Sequence, residues 1–445
     1  MADGRARRGI VGRIYTNLGL LVGGKAAAGL ISLVYMVIAA RVLGPRDYGV
    51  LMLVHGYAMA VGGIVEFPGW HAIVRYGAHA LEARDHDRLL RLLRFAGAVE
   101  GVGGIASIAA AAALAPLIGP RLGWSAEAQA FAIPYSLAVL ASIRATPAGY
   151  LQLMGRFDLL GAHNAVAPLT RLAGAVIAML SSAGLRGFLI AWLVAALAEW
   201  LVMWALGIWI ARRHIGGRRL SGPIAGAVRE NPGIWRFMIG ANADVTFGEL
   251  SGRIAPLIIG WMLGPVATGL FAIAQRATAV IQQPAQILGQ AAYAEFARLI
   301  AAGGSGEAVR RALFRSVGVA ALVGSPLLAA MIVAERPLAI LLGGSAFAGA
   351  AGLIGWLGAS RLILLIAPPV GSALIALGRP VWSVSANIAT NLVLMPLLPL
   401  FLSRWGLTGA GLQAILQASA TGLCLTALLW RATDGRVLRV RAAHV

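Results

Sequence analysis

Apolar residues fill this chain in long runs, and its polar residues gather in short clusters between them. A helix that crosses a bilayer needs about 20 mostly apolar residues. Runs of that length predict twelve spans, at 14–40, 46–74, 93–117, 128–152, 162–183, 187–211, 234–262, 266–294, 312–334, 346–376, 380–402 and 407–431. The span at 46–74 is the least apolar, since it holds Glu66 and Pro68. No small-residue cleavage pattern follows the first run, which reads as a retained span. Between the second and third spans, Arg84 to Phe95 (RDHDRLLRLLRF) is amphipathic at helical spacing. It is expected to lie along the cytoplasmic interface as a solvated connector with lipid contact.

Composition decides the solvent. Of 445 residues, 59% are hydrophobic and 12% charged, and the mean hydropathy is +0.80. Soluble domains carry about 25% charged residues, and a soluble chain of this make-up could not cover its apolar surface. A cytoplasmic enzyme, a secreted module and a disordered regulator are therefore excluded. The net charge of +20 does not point to nucleic acid, because the cations sit between spans. Loops on one side hold only Arg41, Arg46, Arg121, Arg186, Arg336 and Arg404, and most of the 37 Lys+Arg fall on the other. The positive-inside rule then places both termini in the cytoplasm. The single cysteine, Cys424, can form no internal disulfide. No extramembrane loop approaches the roughly 50 residues of a domain, so no soluble catalytic head is expected.

The chain also repeats itself. ARVLGPRDYGVLML (40–53) parallels GWMLGPVATGLFAI (260–273), with Leu43, Gly44, Pro45 and Gly49 matching Leu263, Gly264, Pro265 and Gly269. GRFDLLGAHN (155–164) parallels GRPVWSVSAN (378–387), and GLRG (184–187) parallels GLTG (406–409). All three islands share nearly one offset. The expected fold is therefore all-α and polytopic, with about twelve transmembrane helices in two parallel six-helix bundles. The bundles would occupy 1–211 and 234–431, joined by a cytoplasmic linker at 212–233 and followed by a basic tail at 432–445. The Gly-Pro pairs mark tight turns.

The LGPRDYG and LGPVATG turns, and the later G-R-x-x-x-x-x-x-x-N followed by GLTGAG, resemble those of Wzx-type oligosaccharide flippases. These belong to the multidrug/oligosaccharidyl-lipid/polysaccharide (MOP) superfamily. The similarity covers nearly the whole chain, and the twelve-span count matches. The resemblance implies a multi-pass protein of the bacterial inner membrane, not an enzyme, working in O-antigen or exopolysaccharide synthesis. It would turn an undecaprenyl-pyrophosphate-linked glycan from the cytoplasmic to the periplasmic leaflet through a cationic central cavity. Membrane lipid and polysaccharide polymerase or export machinery are the implied partners. A multidrug/cation antiporter of the same superfamily is the main alternative, and an integral-membrane polymerase a more distant one.

Ionisable residues inside spans are costly, about 2.5–3.5 kcal/mol each at the bilayer centre on insertion scales, and are functional by default. Asn242, Thr246, Glu249 and Arg253 are spaced by four, three and four, which makes a polar stripe on the seventh span. It reads either as a cavity lining or as a structural ion pair. Gln275, Gln282 and Gln286 form a stripe on the eighth span, which either lines a cavity or cross-links helices. A shift of 220 places Gln275 on His55 and Gln286 on Glu66. Lys25 lies mid-span among small residues. Lys25 and Arg253 are candidate anchors for a diphosphate, with the glutamines along the sugar. His55 and Glu66 are candidates for ion coupling. No Walker loop or metal spacing is present, so neither direct ATP use, a metal nor another cofactor is expected.

Overall fold

A computed structural model describes residues 10–65, 69–215, 221–281, 292, 295–296, 298–300 and 306–433; the side chains of 10–18, 20–22, 65, 215, 240–251 and 380 fall outside that description. In chain order the helices are α1 (Ile10–Val65), α2 (Gly69–Glu82), α3 (His86–Ile118), α4 (Ala126–Tyr135), α5 (Ala145–Leu153), α6 (Phe157–His163), α7 (Val166–Leu180) and α8 (Gly184–Ile215). They continue as α9 (Ala227–Glu230), α10 (Ile234–Thr278), α11 (Gly306–Val333), α12 (Glu335–Gly343), α13 (Ala351–Leu364), α14 (Ala367–Ala376), α15 (Pro380–Leu394) and α16 (Leu398–Thr433). The described residues contain no strand. A bilayer leaves no water to satisfy open backbone, so helices are one of its two solutions.

Eight helical stretches among the described residues are long and apolar enough to cross a membrane. Three of them contain a glycine that no helix can pass through, Gly44 (φ 70°, ψ 176°) in α1, Gly264 (φ 83°, ψ 178°) in the longer α10 and Gly406 (φ 56°, ψ −140°) in α16, and each such break divides two spans. With α7 as a further span, the count of twelve is met. Pro45 and Pro265 then open the next helix, where a missing N–H costs nothing. Leu30, Leu180, Leu322 and Leu423 are each at least 70% exposed, as side chains solvated by lipid should be.

One expected element is corrected. The Arg84–Phe95 segment is not an interfacial connector. Asp85 caps α3 by accepting from the Arg88 amide at 2.9 Å, and His86 onward is the start of the third span. Leu89, Leu90 and Leu92 are buried in protein. Its amphipathic spacing reflects packing against neighbouring helices rather than a lipid surface. On the far side of the undescribed residues 66–68, α2 buries Ala72, Ile73, Gly77 and Ala80.

The chain resolves into two compact units. The first comprises residues 1–43 and 53–246, and the second 44–52 and 247–445. The first is centred on Ile73, Leu89, Tyr150, Leu151 and Ile210. The second is centred on Phe296, Leu313, Val370, Leu374 and Leu429. The turn after Gly44 thus packs with the second unit. There Gly49 lies against the Pro265 carbonyl, and Gly269 against the Pro45 carbonyl.

The internal repeat is written into the backbone. Gly44 and Gly264, Gly155 and Gly378 (φ 65° and 72°), and Gly184 and Gly406 (φ 54° and 56°) all adopt positive φ. Gly123 and Gly344 (φ 69° and 88°), 221 residues apart, also adopt positive φ. They sit in LGWSA (122–126) and LGGSA (342–346), where the shared letters set Gly123 opposite Gly343, one residue before Gly344.

Candidate functional site

In the second unit, both halves of α10 and helices α13, α15 and α16 enclose a cavity of about 600 Å³. Arg253 and Gln275 reach it from either side of the Gly264 break, and Ser360 and Arg361 from α13. Asn387 and Asn391 are one turn apart on α15, and Gln413, Gln417 and Thr421 recur every four residues on α16. The amides hold each other in place. Gln413 Nε2 donates to the Leu394 carbonyl at 3.1 Å and to Gln417 Oε1 at 2.9 Å, and Gln417 Nε2 donates to Asn391 Oδ1. Asn391 Nδ2 donates in turn to the Asn387 carbonyl at 2.9 Å. Thr421 meets Thr390 at 2.9 Å, and Arg361 Nε donates to Thr278 Oγ1 at 3.0 Å. Such cross-braced side chains are already ordered, so a ligand need not freeze them. None of the described residues lining this cavity is a carboxylate.

The first unit has a polar cluster of another kind. Arg171 on α7 donates to Tyr35 Oη at 3.3 Å and to His55 Nε2 at 3.2 Å. A guanidinium can only donate, so Nε2 accepts, and the proton on Nδ1 goes to Tyr135 Oη at 2.9 Å. The rings of Tyr35 and Trp192 lie 5.9 and 5.7 Å from the Arg171 guanidinium carbon. The Arg171 Nε is buried without a hydrogen-bond partner. Nearby, Arg144 pairs with Glu199, whose backbone carbonyl meets His163 Nε2 at 2.8 Å. Buried Glu100 accepts from the Ala145 and Thr146 amides and so caps α5.

Of the residues singled out from sequence, Arg253 and Gln275 share the second-unit cavity. His55 belongs to the first-unit cluster. Lys25 is exposed on α1, beside the close contact of Gly24 with the Gly161 backbone. Asn242, Thr246 and Glu249 lie on α10, but their side chains are outside the described set; Glu66, Gln282 and Gln286 lie outside the described residues. Arg361, Asn391, Gln413 and Gln417 were not picked out as cavity residues. The four-residue spacing on the last two spans was the available signal. Arg171 offered none, since its partners come from positions 35, 55, 135 and 192.

Comparison with known proteins gives a consistent picture. The profile of the family described as "Polysaccharide biosynthesis protein" matches residues 14–299. The inner membrane protein YghQ of Escherichia coli (strain K12) is 28% identical over 302 residues, 67% of this chain and 82% of that protein. Among solved structures, a multidrug resistance MATE family transporter of the MOP superfamily in an inward-facing conformation superposes with TM-score 0.71 at 14% identity. That match covers 92% of this chain and 96% of the other. The lipid II flippase MurJ, in an inward closed conformation, superposes with TM-score 0.70 at 11% identity, covering 91% and 86%. At these identities the structural likeness speaks for the fold.

Proposed function

Because the chain belongs to the polysaccharide biosynthesis protein family, a MOP-type family of membrane transporters, we propose that it flips an undecaprenyl-pyrophosphate-linked oligosaccharide from the cytoplasmic to the periplasmic leaflet. The glycan feeds cell-surface polysaccharide synthesis, and a polymerase or export complex receives it. The protein works in the bacterial inner membrane, where the relative YghQ is named as residing, with both termini cytoplasmic. Residues 1–211 and 234–431 act as two halves joined by the 212–233 linker, and no covalent chemistry is involved.

The observation that carries this reading is the lining of the second-unit cavity. It combines two guanidinium groups, Arg253 and Arg361, with the amides of Gln275, Asn387, Asn391, Gln413 and Gln417. Guanidinium forks match phosphate oxygens bidentately, and amides both donate to and accept from sugar hydroxyls. Lys25, Asn242, Thr246, Glu249, Gln282 and Gln286 are further candidate contacts for the cargo in the proposal, and His55 and Glu66 are candidates for ion coupling.

The MATE-like fold keeps one rival open, an antiporter of lipophilic cations. Such a ligand needs a carboxylate, and Glu66 and Glu249 are the candidates for that reading. A thermal-shift titration separates the two. A ligand at a hundred times its dissociation constant stabilises by about 2.7 kcal/mol. A polyprenyl-pyrophosphate sugar should raise the melting temperature of the parent, and Arg253→Ala and Arg361→Ala should abolish the rise. Stabilisation by a lipophilic cation dye alone would overturn the flippase reading.

A further inference from the structure

The first unit holds a second, smaller cavity of about 340 Å³, which lies apart from the cluster around Arg171. Two helix faces form its walls. Leu90, Leu93, Arg94 and Gly97 of α3 follow a strict i, i+3, i+4, i+7 order, and so do Trp204, Gly207, Ile208 and Ala211 of α8. Thr146 and Tyr150 of α5 complete the lining, and both of their hydroxyls are buried without a hydrogen-bond partner. Gly97 leaves space on the α3 wall, while Gly207 lets α8 approach Pro147 of α5, which also lines the slot. Ile208 is 38% exposed and the adjacent Trp209 39%, so the α8 wall borders the lipid-facing surface.

Charge is confined to one end. Among the described residues, Arg94 is the sole ionisable lining residue other than Tyr150, and its guanidinium lies beside Gly222 of the linker. The neighbouring Arg88 and Arg91 are tied to the linker, Arg88 through the Glu230 carbonyl and Arg91 through the Glu230 carboxylate. Arg212 and Arg213 end the α8 wall nearby in sequence and are exposed. An apolar slot with a cation at one end matches a chain with an anionic head. A sugar-bearing head would need amides or accessible hydroxyls at the mouth, as in the second unit, and the slot has none.

We propose that this slot is a binding site for an anionic phospholipid of the cytoplasmic leaflet, with its phosphate at Arg94 and an acyl chain between α3 and α8. The lipid is then a bound partner of the transporter rather than its cargo.

The test uses the full-length purified protein and native mass spectrometry. The protein is titrated with phosphatidylglycerol or phosphatidylethanolamine of identical acyl chains. One basic side chain near a lipid surface changes anionic-lipid binding about fivefold, and that is the preference expected for phosphatidylglycerol. Arg94→Gln should equalise the two lipids. Gly97→Leu should weaken both, because a Cβ there makes ordinary contacts with Trp204 (3.5 Å) and Thr146 (3.9 Å) and the rest of the side chain enters the slot. If Gly97→Leu does not fold, Arg94→Gln alone decides. Equal binding of the two lipids by the parent, or a preference that Arg94→Gln leaves intact, overturns the proposal. Displacement of phosphatidylglycerol by an equimolar polyprenyl phosphate also overturns it, since the slot would then belong to the carrier.

Discussion

Gly49→Ala tests the contact between the two repeat turns. Gly49 lies within a helix, where intrinsic propensity alone would favour alanine by about 1 kcal/mol. Packing opposes it. A methyl group on Gly49 would overlap the Pro265 carbonyl and stand 3.1 Å from the Gly269 nitrogen. Both obstacles are backbone, which cannot rotate aside, so the helices themselves must separate. Overpacking of this kind costs about 1–3 kcal/mol, and a backbone obstacle belongs at the upper end. The reference is Gly318→Ala in α11, where a Cβ meets nothing within 4 Å and the propensity gain is free to appear. The propensity gain is common to both, so the two variants should differ by the overpacking cost, roughly 2–3 kcal/mol. Apparent melting temperatures in one detergent at one scan rate, which keeps irreversible unfolding comparable, should separate by about 2–3 °C. Gly269→Ala, whose methyl would overlap the Pro45 carbonyl, should behave like Gly49→Ala. The double variant should cost less than the sum, because one displacement relieves both overlaps. Equal melting of Gly49→Ala and Gly318→Ala would refute the close approach.

Three further outcomes follow from the first unit. Glu100→Ala should cost roughly 2–3 kcal/mol in a denaturation assay, because it leaves the Ala145 and Thr146 amides without their acceptor; Glu100→Gln should recover only part of that. Glu230→Ala removes a bidentate partner of Arg91, whose Nε and terminal amine sit 2.9 and 2.8 Å from the carboxylate. The stability loss at this part-exposed pair should stay below about 1 kcal/mol, but trypsin should cut the 221–233 linker faster. The Arg156 guanidinium holds the Asp158 carboxyl below the usual carboxylate range. That stabilisation is present above the unfolded value of about 3.9 and is lost as pH falls through the lower folded value. Asp158→Asn should therefore melt slightly earlier than the parent at pH 7, and the gap should close below about pH 3.

Hydropathy made the spans legible, because a bilayer imposes both a length and a solvent on each of them. The turns were legible where the backbone needs glycine: Gly44, Gly264 and Gly406 cannot be helical, and the sequence keeps them at matching places. Arg84–Phe95 was misread because amphipathic spacing records that a helix has one apolar face. It does not record whether lipid or protein covers that face, and here Leu89 and Leu92 meet protein. The cavity was half legible. Arg253 and Gln275 stand in local polar stripes, whereas Arg361 is a lone cation on its helix and becomes meaningful only beside Thr278 and the amides of α15 and α16. Arg171 was invisible for the same reason, since its partners are joined by packing and not by spacing.

The two units share a backbone repeat but not an interior. His55 and Gln275 occupy equivalent positions, 220 residues apart. His55 is clamped between the Arg171 guanidinium and Tyr135, while Gln275 borders an open cavity. The repeated features are the positive-φ glycines, which no other residue replaces without strain of about 1–3 kcal/mol. Such positions hold the two halves to one fold while side chains inside them are free to differ. In the first unit aromatic rings fill the space around the cation, so Arg171 orders Tyr35, His55 and Trp192 rather than receiving a ligand of substrate size. In the second unit amide side chains and two arginines line a cavity of about 600 Å³. On the proposed reading, selectivity for cargo belongs to α10, α13, α15 and α16. An exchange of Asn391 or Gln417 for an aromatic residue should convert that cavity into a packed cluster. Ligand-induced stabilisation should then be lost while the melting temperature of the unliganded protein is held or raised. A variant that kept its ligand response would show that the cargo is read elsewhere.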